Sequence, residues 1–440
     1  MVGAGVAGSS AARALVEEGA TVLVSESRPA SELSTVAALR AAGVEMLTGG
    51  HDPSHLDGAT LVVTGPGVPE RAPVLEWARE RGLAIWSEME LGARLAEVPY
   101  VAVTGTNGKT TTTSMIESCL RADGLDAVAC GNIGHPFPEA AREGHEALVV
   151  ECSSFQLRQQ ESFHPRVSVL LNLSPDHLDE HGSFEAYAEA KARIFARQTA
   201  GDTHVGNLDD ENAAARSTKA PCEVVWFRSG PPDEGQVGYD GDGLLLSRLE
   251  AAPDPLGEVA GTAGLRADAA AAAAASLAFG ASVRAVSDGL AGFVPAPHRG
   301  QVVAVVDGVR FIDDSKATNV HAALAAIDSL DDVVLIAGGL AKGVDLSPLA
   351  TRAGRLRAVV AMGEAAPELE RVFTGIRPVH PAASIELAVR AAFDLARPGG
   401  TVVLAPACAS WDQFRDYAER GDRFAAAALG LQQEVGTGGR

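Results

Sequence analysis

Short apolar runs recur along the chain, and each closes on small, polar or charged residues. Residues 101–103, 147–150, 167–171, 333–337 and 401–404 are aliphatic almost throughout. Strands buried on both faces of a parallel sheet read this way. Helical spacing follows at 111–120 and in an alanine-rich stretch from Asp268. An earlier helix opens at Gly3-Ala4-Gly5-Val6-Ala7-Gly8 and runs to about Glu18. Residues 21–24 and 61–63 predict two further strands, followed by Glu26-Ser27-Arg28 and Thr64-Gly65-Pro66-Gly67-Val68. Alternating strand and helix predicts doubly wound α/β architecture. Residues 231–255, rich in Gly, Pro and Asp, predict hairpins and loops, and the Gly/Arg tail after Gln433 predicts disorder.

At 440 residues the chain exceeds what one core supports. The pattern divides it into 1–98, 99–294 and 295–440. Hydrophobic residues make up 46% and charged residues 21%, the balance of a globular protein in water. The formal charge of −21, with no basic stripe, argues against a nucleic-acid partner. The longest apolar stretch, 269–281, is alanine-dominated and too short to cross a bilayer, so no membrane insertion is expected. The start, MVGAGVAG, lacks the charged n-region of a signal peptide. Cys119, Cys130, Cys152, Cys222 and Cys408 show no C-x-x-C spacing, which suits free thiols in a reducing cytoplasm.

Two glycine loops carry candidate chemistry. Gly3 to Gly8 read G-x-G-x-x-G with the acidic Glu26 about 20 positions on, a pattern that seats a diphosphate on a helix end. The strand that should precede it is reduced to its last residues. The second loop, Thr104-Gly105-Thr106-Asn107-Gly108-Lys109-Thr110-Thr111, stands between a strand and a helix. Its glycines let N–H groups converge on an anion at the helix N-terminus. Lys109 is positioned for β/γ-phosphates and Thr110 for Mg²⁺, although Val103 stands where the usual first glycine belongs. Only five lysines occur among 36 basic residues: Lys109, Lys191, Lys219, Lys316 and Lys342. A lysine kept in so arginine-rich a chain suggests a task that needs a point charge or a reactive amine.

With these residues in view, the chain resembles the Mur ligases of peptidoglycan assembly. TGTNGKTTT, GNIG, ECSSFQL and His177-Leu178-Asp179 are similar to the family generally. DDSKATN, GGLAKGVD and LAPACASWDQF resemble its D-glutamate-adding branch. The resemblance covers essentially the whole chain. It implies three domains: a Rossmann-like UDP-binding domain, a central P-loop ATPase domain with a mostly parallel sheet, and a Rossmann-like C-terminal domain. It also implies a monomeric cytoplasmic enzyme. ATP would phosphorylate the carboxylate of UDP-N-acetylmuramoyl-L-alanine, and D-glutamate would attack the acyl phosphate. That logic stands without the family, because oxide is a poor leaving group and phosphate a good one.

Residue roles follow from the same resemblance. Gly105 to Thr111 would bind nucleotide, with Lys109 on the β/γ-phosphates, Arg299 on the γ-phosphate and Asp314 on the ribose. Thr110 and Glu151 would hold one Mg²⁺. His177 would sit at a second ion or at the incoming acyl phosphate, and Lys191, as a carbamate, would bind metal. Lys316 and Thr318 would line the junction. Thr318, Lys342, Ser410 and the segment at Tyr417 would hold D-glutamate. Gly5, Val6, Ala7, Ser27, Arg28, Gly67 and Asn132 would bind the UDP-sugar. Two motifs depart from the family: Gly264-Leu265-Arg266-Ala267-Asp268-Ala269-Ala270 replaces G-x-H-N-x-x-N, so two adenine-site asparagines are lost, and Glu26-Ser27-Arg28 stands where Asp-Thr-Arg is usual. Three other readings compete. A sibling ligase would share the P-loop but not ACASWDQF. An NAD-dependent oxidoreductase rests on GAGVAG alone, and a non-catalytic nucleotide-binding relative would rest on Ala267 and Ala270.

Overall fold

The computed structural model describes residues 1–250, 252–259, 262–328, 330–341 and 343–437. They form two compact units, Met1–Val259 with Ala267–Phe293, and Ala260–Arg266 with Val294–Arg440.

The first unit contains two sheet systems. In the smaller, Leu23–Glu26 pairs in parallel with Glu45–Thr48, and Leu61–Thr64 with Ala84–Ser87. Val2 joins the halves, bridging Ser25 on one side and Thr64 on the other. Val2 therefore holds the central place between the two strand pairs. It delivers Gly3 to the helix Val6–Glu17.

The larger sheet has nine strands. Their order is Asp254–Glu258, Leu244–Ser247, Gln236–Tyr239, Glu223–Phe227, Thr203–Asn207, Val167–Leu170, Tyr100–Thr104, Ala147–Glu151, Ala127–Gly131. All pairings are parallel except the last two hairpin strands at the Asp254 edge, where the sequence predicts hairpins. Every residue of Tyr100–Thr104 and Ala147–Glu151 is buried, as the unbroken apolar runs require. Register sets Val103 beside Glu151 and Thr104 beside Leu170, so the loops beyond these strands emerge together.

Close packing holds the helix Lys109–Ala122 against Val283–Ala291. A Cβ on Gly289 would come within 2.5 Å of Cys119 Cα, and Ser118 Oγ donates to Gly289 O at 2.8 Å. The helix Ala263–Phe279 buries Ala269 to Ala275 completely, so alanine there reflects space rather than composition alone.

The second unit has a six-stranded sheet in the order Gln301–Val306, Val309–Asp313, Thr401–Leu404, Val333–Gly338, Leu356–Met362, Val379–Ala382. Only its first pairing is antiparallel. The last helix runs Tyr417–Thr437, so the expected disorder after Gln433 does not hold through Thr437. Helix-compatible Glu434 continues the pattern and pairs with Arg390 at 2.7 Å. Among the described residues no helix is long and apolar enough to cross a membrane, and the five cysteines are free thiols.

Candidate active site

The strand Tyr100–Thr104 and the helix Lys109–Ala122 frame the phosphate-type loop. Gly108 caps the helix at φ +82°, a left-handed conformation that favours glycine, and supplies no side-chain cap. The first N–H to close on the helix is that of Thr112, to Gly108 O at 2.9 Å. The preceding N–H groups are those a helix cannot satisfy by itself. Asn172, at the end of the neighbouring strand, clamps the loop: its Oδ1 accepts from Asn107 N at 2.9 Å and its O from Thr106 N at 2.9 Å. Lys109 folds back to donate to Gly105 O at 3.0 Å and Thr106 O at 2.9 Å. A Cβ on Gly108 would meet Asp268 Oδ1 at 2.1 Å. That carboxylate belongs to the 264–270 segment that departs from the family motif.

Glu151 is the hub beside this loop. Its Oε2 accepts from Thr110 Oγ1 at 2.7 Å and its Oε1 from Asn132 Nδ2 at 2.8 Å. Thr110 and Glu151, expected to hold an ion, are bonded to each other, and Asn132, expected at the UDP-sugar, bonds the same carboxylate. His177, at φ +51°, is half-exposed, stacks edge-on against Phe155 and lies 3.7 Å from Asp176. Among the described residues no three His, Cys, Asp or Glu side chains form a metal-sized cluster. A divalent ion here would draw on the Thr110 hydroxyl and Glu151 carboxylate, hard oxygen donors of the kind Mg²⁺ takes.

Lys191 lies on the helix Phe184–Ala192 and is 2% exposed. Its Nζ donates to Gly105 O at 2.8 Å and reaches Thr104 Oγ1 at 3.5 Å. Burial, then the Lys109 charge, pushes this amine well below the usual lysine range, against the attraction of Asp176, Cys152 and Glu151. The shift favours the unprotonated amine, the form that reacts as a nucleophile.

In the small sheet, Glu26 is already engaged. Its carboxylate accepts from Ala4 N at 2.7 Å, Arg28 N at 3.0 Å, and the Arg28 and Ser27 side chains. Burial would raise this carboxyl, but those bonds and the Arg28 charge hold it at about 2. A dinucleotide fold needs that acidic group for the ribose hydroxyls. Here it ties Ser27 and Arg28 to the glycine loop at Ala4. Val6 is 70% exposed at that helix start. Gly67 and His177 line one cavity of about 310 Å³, together with Thr64, Glu88 and Gln156.

In the second unit, three loops converge at the ends of Val309–Asp313 and Thr401–Leu404. Arg420, 1% exposed, donates to Ser315 O at 2.9 Å, Ser315 Oγ at 3.0 Å and Cys408 O at 3.2 Å. Ser315 Oγ donates to Tyr417 O at 2.7 Å, and the Lys316 amine sits 4.0 Å over the Tyr417 ring. These contacts bring Lys316 and Tyr417 together beside Cys408, two residues before the buried Ser410. Burial, with repulsion from Asp313, pushes the Asp314 carboxyl up to about 7, although Arg299 and Gly300 N oppose this. Arg420 escaped the sequence reading because nothing local marks it. Lys342 lies outside the described residues.

The Mur ligase MurD-like N-terminal domain matches residues 1–87, the Mur ligase middle domain 103–236, and the Mur ligase glutamate ligase domain 298–408. The chain is 44% identical over 442 residues to the UDP-N-acetylmuramoylalanine--D-glutamate ligase of Frankia casuarinae, covering 97% of this chain and 93% of that one. It is 40% identical to the ligase of the same name from Geobacillus kaustophilus, covering 98% and 97%. In fold it resembles a pseudomurein peptide ligase type C from Methanothermus fervidus, with a TM-score of 0.63, 19% identity, and coverage of 96% and 97%.

Proposed function

The chain belongs to the Mur ligase family, and on that premise we propose that it joins D-glutamate to UDP-N-acetylmuramoyl-L-alanine with conversion of ATP to ADP. It does so as a cytoplasmic step of peptidoglycan synthesis. One observation carries the reading: Lys109, Thr110 and Glu151 meet at an uncapped helix N-terminus, in a chain similar along its whole length to D-glutamate ligases.

The substrate carboxylate attacks the γ-phosphorus of ATP, ADP leaves, and an acyl phosphate forms. The D-glutamate amine then attacks the acyl carbon, phosphate leaves, and the amine gives up its extra proton. The protein supplies mainly position and positive potential. Lys109 exchanges its bonds to Gly105 O and Thr106 O for phosphate oxygens. The first-turn N–H groups of the helix add their partial charge. A Mg²⁺ ion held by Thr110 and Glu151 would neutralise phosphate charge. The neutral Lys191 amine can add CO₂, forming an N–C bond and releasing a proton. The resulting carbamate is an anion that the nearby Lys109 charge favours, and with His177 it would serve a second ion. Gly5, Val6, Ala7, Ser27, Arg28, Gly67 and Asn132 bind the UDP-sugar. Thr318, Lys342, Ser410 and Tyr417 bind D-glutamate.

The test is ADP release and product mass with UDP-N-acetylmuramoyl-L-alanine, ATP and Mg²⁺, offering D-glutamate, L-lysine or meso-diaminopimelate. ADP release that requires both the nucleotide-sugar and D-glutamate supports the reading. Preference for another amino acid refutes it.

A further inference from the structure

Glu88 opens the helix Glu88–Leu95 and is 2% exposed, yet it lines the cavity shared by Thr64, Gly67, Gln156 and His177. Gln156 orients it. The Gln156 Oε1 accepts from Ser153 N and Ser153 Oγ, both at 2.8 Å, so its amide nitrogen turns to Glu88 Oε1 at 2.6 Å. Glu88 Oε2 is buried with no hydrogen-bond partner. A native fold seldom leaves such an atom unsatisfied unless a role or a bound molecule accounts for it. Burial pushes this carboxyl up to about 7, against the bonds from Gln156 and the N–H groups of Glu88 and Met89. The acid form can donate from Oε2, whereas the carboxylate can only accept. The other charged or titratable groups lining the cavity are Glu70, Arg158, His177 and Glu180.

We propose that Glu88 is a substrate-binding residue that donates a hydrogen bond from Oε2 to an amide carbonyl in the muramoyl-alanine part of the nucleotide-sugar. This rests on the ligase reading above. A neutral acid suits the place, because the substrate carries a diphosphate and a carboxylate and a second buried anion would repel it. The bond also distinguishes an acyl-bearing sugar from one that lacks the amide, since the donor would then stay unpaired.

The experiment measures KM for UDP-N-acetylmuramoyl-L-alanine between about pH 6 and pH 8.5 in the wild type, Glu88→Gln and Glu88→Leu, with KM for ATP alongside. In the wild type KM should climb above about pH 7, as the donor is lost. Glu88→Gln keeps an acceptor for Gln156 and a permanent donor, so its KM should match the wild type in acid and lack that climb. Glu88→Leu should raise KM about tenfold throughout and leave KM for ATP unchanged, the effect of one lost hydrogen bond. His177 is present in all three proteins, so its contribution cancels in the comparison. An equal pH climb in Glu88→Gln, or an unchanged KM in Glu88→Leu, overturns the assignment. If Glu88→Leu fails to fold, the comparison of Glu88→Gln with wild type still decides. A wild type that does not turn over this substrate defeats the ligase reading itself. Turnover with identical pH profiles defeats only the role of Glu88.

Discussion

Lys191→Arg and Lys191→Met separate the two consequences of burying this amine. The side chain is 2% exposed and donates to Gly105 O and Thr104 Oγ1, and among the described residues no carboxylate pairs with it. Lysine can shed its proton in such a place. Arginine cannot, and a buried unpaired charge costs several kcal/mol. Fitting the larger guanidinium into a packed site adds about 1–3 kcal/mol. At roughly 2–4 °C per kcal/mol for a large domain, Lys191→Arg should lower the melting temperature by about 10 °C or more. Lys191→Met keeps the volume and drops the amine, so it should be about as stable as the wild type near neutral pH, or more so.

The pH dependence has a definite sign. The native amine is held below its unfolded value of about 10.4, so over that interval the unfolded chain binds a proton that the native chain does not. Wild-type stability should therefore rise with pH toward about 10.4, and fall with acidification, by up to about 1.4 kcal/mol per unit from this group. Lys191→Met should lack that slope. Both variants should be inactive if the amine works as a carbamate. Lys191→Ala, which leaves room, should regain partial turnover with short carboxylic acids. The assays are thermal melts from about pH 7 to 10 and ADP release. A Lys191→Arg protein that melts with the wild type and turns over would refute both the burial argument and the carbamate.

Lys109→Ala removes the loop cation and should lower kcat/KM for ATP about a thousandfold or more, because charge stabilisation dominates phosphoryl transfer; steady-state kinetics near wild type would refute the phosphate assignment. Gly108→Ala combines a left-handed residue, at about 1–2 kcal/mol, with displacement of Asp268, whose Oδ1 stands 2.1 Å from the added Cβ. Urea titration should show roughly 2–3 kcal/mol lost in the wild type and measurably less in an Asp268→Ala background, and equal losses would rule out the clash. Ser410→Ala should raise KM for D-glutamate several-fold with KM for ATP unchanged, since one ligand alone loses a hydrogen bond; equal effects on both would disprove the assignment.

What the sequence by itself determined is local. Thr401–Leu404 appears where its apolar run predicts, and Tyr100–Thr104, Ala147–Glu151 and Val333–Gly338 match within a residue at either end. Continuous hydrophobicity is unambiguous when both faces of a strand are covered. Glu45–Thr48, Ala84–Ser87 and Val379–Ala382 escaped because they are short and only partly buried, and their mixed patterns resemble loops. Residues 21–24 point to a strand that lies two positions later, at Leu23–Glu26, because β-branching there is not confined to the paired residues. The phosphate loop was legible because its function sits in consecutive residues, and Thr110, Glu151 and Asn132 followed because each ends an adjacent strand or begins the helix beyond one.

The tertiary structure alone decided how those groups are tuned. Glu88 depends on Gln156, 68 positions away, and Arg420 on Ser315, 105 away. Asp268 bears on Gly108 only because the fold carries the start of the helix Ala263–Phe279 past the phosphate loop, 160 positions earlier in the chain. Lys191 stands out in the sequence as a retained lysine, but the downward pull on its amine comes from burial and from the Lys109 charge. A motif carries residue identity and spacing. Protonation state and hydrogen-bond satisfaction depend on what the rest of the chain packs around each group, and no local stretch of sequence contains that information.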